Sequence, residues 1–143
     1  MALEFLSPLH KASRQITVYL EAQDDESGLS STDGHILTYL RSYAPAAISE
    51  LVRVFGIKQS TFTSMLDRLE KAGLVRREIN PGDRRSFLIH ITDQGVAVAE
   101  DSTRRLVEFE DEIRRRASAR DIQGFHAVMA VIEEITRVRL RER

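Results

Sequence analysis

The sequence contains no cysteine, which removes disulfides, thiolate metal sites, cysteine nucleophiles and thiol redox sensing together. It also lacks any apolar run approaching the roughly 20 residues of a membrane-spanning helix. Glu4 and Pro8 stand where a signal peptide would carry a basic start and an apolar stretch, so a cytoplasmic protein with no membrane partner is expected. Internal repeats and low-complexity tracts are missing too. There is no nucleophile elbow, phosphate-cradling glycine loop or HExxH phrase, so Ser, His, Asp and Glu are present with nothing to order them. The expectation is no enzyme and no cofactor. No two of the histidines, His10, His35, His90 and His126, are spaced i, i+3 or i+4, so no metal site is expected. What remains is 143 residues, 42% of them apolar, enough for the core of one compact unit.

A net positive charge is lacking as well, since the formal net charge is -1, and on its own this argues against a polyanion binder. The average hides an asymmetry. Lys and Arg against Asp and Glu number 3 and 7 in residues 1–52, 8 and 4 in residues 53–90, and 10 and 11 in residues 91–143, for nets of -4, +4 and -1. The basic excess of the middle segment sits on Arg53, Lys58, Arg68, Lys71, Arg76, Arg77, Arg84 and Arg85. Confinement of one sign to one segment points to an anion-binding face.

Leu9, Ile16, Tyr19 and Leu20 recur at helical spacing and predict a first helix from about Pro8 to Gln23, ended by the acidic run Asp24 to Gly28. Ser30 with Asp33 predicts the capped start of a second helix, backed by Ile36, Leu37 and Leu40 and running to about Tyr43. Pro45 breaks the chain. Ile48, Leu51, Val52 and Phe55 predict a short third helix stopped by Gly56, and Phe62, Met65, Leu66 and Leu69 a fourth from about Gln59 to Ala72, stopped by Gly73. The period then changes to two. Leu74 to Ile79 and Phe87 to Ile91 read as strands of a hairpin whose tip is Asn80 to Ser86. Thr92-Asp93 caps a long charged helix from Gln94 to about Ser118, and Asp121 starts a last one. In that last helix Val128, Val131 and Val138 widen an apolar stripe of Ile122, Phe125, Met129, Ile132 and Ile135 beyond the need of one neighbour. The excess asks for a partner, most simply a second copy of the chain.

Helix, turn, helix and then a basic-tipped hairpin is the layout of a winged helix-turn-helix, whose second helix enters the DNA major groove. The predicted fold is mainly α with a small antiparallel β-hairpin wing. Opposite its apolar stripe the fourth helix presents Lys58, Gln59, Ser60, Thr61, Thr63, Ser64 and Arg68. Short hydroxyls and amides meet base edges without overfilling the groove, which makes Gln59, Ser60, Thr63 and Ser64 base-edge candidates and Lys58 and Arg68 phosphate candidates. Arg84 and Arg85 at the hairpin tip suit phosphates or a narrow minor groove. A winged helix used only for protein contacts is the alternative, and it predicts an apolar or acidic face where this one is polar and basic.

Residues 51–95 resemble the DNA-binding core of the multiple antibiotic resistance regulator (MarR) family. The resemblance rests on the helix phrase Thr63 to Glu70, the transition Gly73-Leu74-Val75, the wing Asp83-Arg84-Arg85 and the exit Thr92-Asp93-Gln94-Gly95. Leu29-Ser30 and the long C-terminal helix pair fit the same pattern. The resemblance implies that Arg85 reaches into the minor groove and that Asp83 holds the shape of the wing. It further implies a homodimer reading a palindromic double-stranded operator as a ligand-responsive repressor at a bacterial or archaeal nucleoid. Dimerisation helices would be supplied by residues 1–28 and 94–143, flanking a winged helix-turn-helix lobe of residues 29–93. Lys58 and Ala47 depart from the family by standing where capping side chains usually open its helices, so an operator sequence does not carry over.

The same resemblance implies a small aromatic or phenolic effector, held between the dimer base and the DNA-binding lobe. His10, Arg14, His35 and Tyr39, on the first two helices, are the candidates to bind its carboxylate or phenol.

Overall fold

The computed structural model describes residues 1–23 and 28–138. Of the run Asp24 to Gly28, assigned above as the end of the first helix, residues 24–27 lie outside the described residues, as do residues 139–143. Helix α1 spans Leu6–Ala22, two residues ahead of the expected start, and places Pro8 in its first turn, where a missing backbone N–H breaks no helical bond. Helix α2, Ser31–Tyr43, opens on a reciprocal capping box. The Ser30 hydroxyl accepts from the Asp33 N–H at 3.1 Å, and the Asp33 carboxylate accepts from the Ser30 N–H at 3.0 Å.

Helices α3, Ile48–Phe55, and α4, Gln59–Lys71, follow. Gly56 and Gly73 after them adopt left-handed conformations, with φ of 63° and 76°, the geometry that lets a helix end without a Cβ clash. Neither helix has a side-chain cap at its start, since Ala47 and Lys58 occupy the N-cap positions and make no capping bond.

The sheet holds the expected hairpin and adds one strand to it. Strands β2, Val75–Ile79, and β3, Phe87–Ile91, pair antiparallel as expected, and β1, Ala46–Ala47, adds to the other edge of β3 to give the order β1-β3-β2. A two-residue strand carries no period to read, and its place is fixed by burial of Ala46 and by pairing with Ile89 and Leu88.

Helix α5 runs from Asp93 to Arg116 and α6 spans Ala119–Thr136. The start of α6 is a correction. Ser118 is its N-cap and accepts from the Asp121 N–H at 3.1 Å, so Asp121 is the third helical residue and not the first. Residues of α2 (Ile36, Leu37, Leu40), α3 (Leu51), α4 (Phe62, Leu66, Leu69), the sheet (Ala46, Val75, Ile89) and α5 (Ala99) form one buried cluster. Among the described residues α6 buries none, and Phe125, Val131 and Ile135 stay 54%, 51% and 75% exposed.

Candidate nucleic-acid interface

Helix α4 is turned by its buried stripe. With Phe62, Leu66 and Leu69 facing the core, Lys58, Gln59, Ser60, Thr61, Ser64 and Arg68 are exposed and Thr63 is half-buried. The Thr63 hydroxyl donates to the Gln59 carbonyl at 2.9 Å and the Ser64 hydroxyl to the Ser60 carbonyl at 3.2 Å. Their hydrogens are committed to the helix, which leaves each oxygen its capacity to accept.

The wing is held by its own side chains. Asn80 accepts the Gly82 N–H on its side-chain oxygen at 3.0 Å, and the Asp83 carboxylate accepts the Arg85 N–H at 3.0 Å. The Ser86 hydroxyl donates to the Asp83 carbonyl at 3.1 Å, while the Asn80 and Ser86 backbones bond across the turn at 3.0 Å. Local bonds of this type give a seven-residue turn a defined shape without a core. They leave Arg84 and Arg85 exposed at the tip, and among the described residues neither guanidinium makes an ion pair.

The ion pairs divide the basic segment in two. Arg68 Nη2 lies 3.3 Å from the fully buried Asp33 carboxylate. Arg77, on β2, meets Asp67 and stands 3.7 Å from Glu70. Arg53, Lys58, Lys71, Arg76, Arg84 and Arg85 are exposed. These six are the cations of the basic segment left without an ion pair among the described residues. Composition signalled neither Asp33 nor the Arg77 cluster, because pairing across 35 or 10 residues leaves no local pattern.

A firm base supports this face. The Thr92 hydroxyl donates to the Gly73 carbonyl at 2.6 Å and accepts the Gly95 N–H at 3.0 Å, while the Thr92 N–H donates to the Leu74 carbonyl at 3.1 Å. Gly95 is required by close approach, since a Cβ there would lie 2.1 Å from the Leu74 carbonyl oxygen.

Of the four candidate effector residues, His35 and Tyr39 are brought to one recess and His10 and Arg14 are not. His10 and Arg14 are exposed on α1. His35 borders a small cavity of about 40 Å³ with Leu29, Ser30, Gly34, Ser102 and Arg105. On its other side His35 joins Tyr39, Tyr43 and Phe55 in an open, apolar groove of about 330 Å³ between α2 and α3. Desolvation there pushes the His35 imidazole pKa below its ordinary value. The Tyr39 hydroxyl donates to Glu50 at 2.6 Å, and its ring packs edge-on against Phe55. Sequence reasoning missed a third recess of about 540 Å³ between α1 and α5, walled by Tyr19, Phe109, Arg105 and Glu108. The rings of Tyr19 and Phe109 pack there in a tilted arrangement, 5.4 Å between centroids.

Comparison with known proteins adds a family to this geometry. The MarR family model matches residues 29–87. The transcriptional regulator PecS of Dickeya dadantii is 36% identical over 132 residues, covering 90% of this chain and 80% of that protein. Among solved structures, the MepR–DNA complex of S. aureus superposes with a TM-score of 0.83 at 17% identity, over 93% of this chain and 98% of that one. A mutant MarR from E. coli complexed with operator DNA superposes with a TM-score of 0.70 at 25% identity, over 86% of each chain.

Proposed function

This chain belongs to the MarR family of DNA-binding transcriptional regulators, and on that premise we propose that it is a homodimeric repressor reading a palindromic operator and releasing it when a small aromatic or phenolic effector binds. The observation that carries the reading is the pairing of an exposed row of hydroxyls and an amide on α4 with a wing whose two guanidinium groups are exposed and, among the described residues, make no ion pair. In this reading Gln59, Ser60, Thr63 and Ser64 meet base edges, Thr61 lies on the same DNA-binding surface, Lys58 and Arg84 meet phosphates, and Arg85 enters the minor groove. Arg68 offers a phosphate the part of its guanidinium that Asp33 does not hold. Asp83 keeps the wing in shape through the Arg85 N–H. The site of action is the nucleoid.

The dimer is proposed to form through the helices of residues 1–28 and 94–143, and the unburied apolar stripe of α6 supports it. Two copies related by a two-fold axis would set their recognition helices roughly 34 Å apart, the spacing of successive major grooves. An effector that favours another spacing would lower affinity by shifting the population. His35 and Tyr39 are the candidates that adjoin recesses. His10 and Arg14, on the exposed surface of α1, would reach an effector only across the dimer base.

Selection of binding duplexes from a random pool, followed by anisotropy titration, tests the reading. Arg85→Ala should lose affinity about tenfold or more while keeping the dimer; wild-type affinity in that variant would sink the wing assignment. Thr63→Ala or Ser64→Ala should relax preference at one base position by roughly 1 to 3 kcal/mol, and a loss uniform over all sequences would make them backbone contacts. Truncation after Ser118 should leave monomers or insoluble protein, and a soluble dimer would refute the assigned interface.

A further inference from the structure

Helix α4 and the wing touch DNA independently only if each is held by its own base. The side-chain bonds say otherwise. Asp67 and Glu70 are the only acidic residues of α4, and both are turned to a single arginine of β2. The guanidinium of Arg77 meets Asp67, its Nε stands 3.7 Å from Glu70, and its backbone N–H donates to the same Glu70 carboxylate at 3.1 Å. The Arg77 side chain is 19% exposed, against 61% for Asp67 and 43% for Glu70. Among the described residues, every other hydrogen bond from an α4 side chain stays within α4 or goes to Asp33. Strand β2 then runs directly into the turn that carries Arg84 and Arg85.

We propose that Arg77 is a positioning residue that makes the recognition helix and the wing one rigid reading head, a role resting on the DNA-reading function above. Carboxylates at i and i+3 form a fork on one helix face, and Arg77 fills it by giving its guanidinium to Asp67 and its backbone N–H to Glu70, with its Nε at ion-pair distance from Glu70 but making no hydrogen bond. The fork fixes the angle at which the wing leaves the helix, and so the position of Arg85 when α4 is seated in the major groove. Arg77 itself contacts no phosphate.

Electrostatics alone would give the fork a different purpose, masking two negative charges on a DNA-facing helix. The two accounts predict opposite signs. Asp67→Ala with Glu70→Ala removes two carboxylates and frees Arg77, which by charge alone must tighten DNA binding. If Arg77 is a strut, the same variant binds about tenfold more weakly, because the wing no longer arrives in register. Adding Arg85→Ala to it then costs less than about twofold, far below its cost in the wild-type background.

Both residues are exposed and alanine favours helix, so the variant should fold, with a thermal melt as the check. The measurement is anisotropy titration of wild type, D67A/E70A, R85A and the triple variant on one duplex selected by the wild-type protein. Affinity that is unchanged or tighter in D67A/E70A overturns the strut, as does a full additive loss from R85A. Failure of the wild type to bind any duplex strikes instead at the DNA-reading function. Amide exchange without DNA decides the strut in either case: exchange at Arg77 and across residues 80–86 should accelerate in D67A/E70A while Ile89 stays protected, and unchanged exchange overturns it.

Discussion

Nη2 of Arg68 lies 3.3 Å from Oδ1 of Asp33, a carboxylate with no exposed surface, although the arginine side chain is itself 58% exposed. The same carboxylate closes the capping box of α2 through Oδ2, so one buried acid ties the start of α2 to α4. A buried carboxylate that loses its cation is costly, and exposure of the arginine screens part of the effect. Arg68→Met should therefore destabilise the fold by about 1 to 3 kcal/mol, whereas Arg84→Met, without a partner, should be near neutral. Urea midpoints compare the two. Asp33→Asn in the Arg68→Met background should recover part of the loss by removing the stranded charge, and strictly additive effects would show that the pair is not coupled.

Gly95 and Gly34 make a second contrast. A Cβ on Gly95 meets the Leu74 backbone at 2.1 Å and Ile91 Cγ1 at 2.8 Å, while one on Gly34 meets only the Ser102 hydroxyl at 3.1 Å. Backbone cannot rotate away and a serine side chain can. Gly95→Ala should cost about 3 kcal/mol or more and uncouple the start of α5 from the end of α4. Gly34→Ala should change the melting temperature by a few degrees at most.

Most of this architecture was legible because it rests on local chemistry. Gly56 and Gly73 announce helix ends, Ser30 and Asp33 announce a helix start, and the switch from a 3.6 to a 2.0 period marks the passage from α4 to β2. Strand β1 was not legible, since two alanines owe their strand to the neighbour they pair with. Nor was the start of α6, where Asp121 reads as the first residue and is the third, bonded to the cap Ser118. The site was legible as a list of exposed residues and not as a circuit. The charge count credits Arg68 and Arg77 to the DNA-facing field, yet both are held by carboxylates that only the tertiary fold brings near.

His35 gives a pH dependence whose sign follows from partial desolvation of its ring, which borders two recesses although the residue keeps exposed surface. Its pKa in the folded chain is pushed below the ordinary 6.5 by desolvation, so the unfolded chain binds the proton more readily. Stability from the neutral ring is complete above about pH 6.5 and declines as pH falls through the folded-state value. Glu21 and Arg105 border the same cavity, carry opposite charges and leave desolvation as the leading cause. Urea unfolding at pH 7.5 and 5.5 should show a stability drop in the wild type that is smaller in His35→Gln. Equal drops in the two proteins would assign the acid sensitivity to other groups.

Lys58 stands at the N-cap of α4 with φ of -56° and ψ of 139° and contributes no capping bond. The backbone there is already extended, so a serine could accept a free N–H of the first turn without rearrangement. Lys58→Ser should then raise stability by about 0.5 to 1 kcal/mol. If Lys58 is kept for a phosphate, the same change should weaken DNA binding evenly across sequences and reduce the slope of log affinity against log salt by about 1. Stability and affinity would move in opposite directions from one substitution, which neither a packing role nor a neutral surface role produces. A stabilised variant with an unchanged salt slope would remove Lys58 from the interface and leave its unused cap without a functional reason.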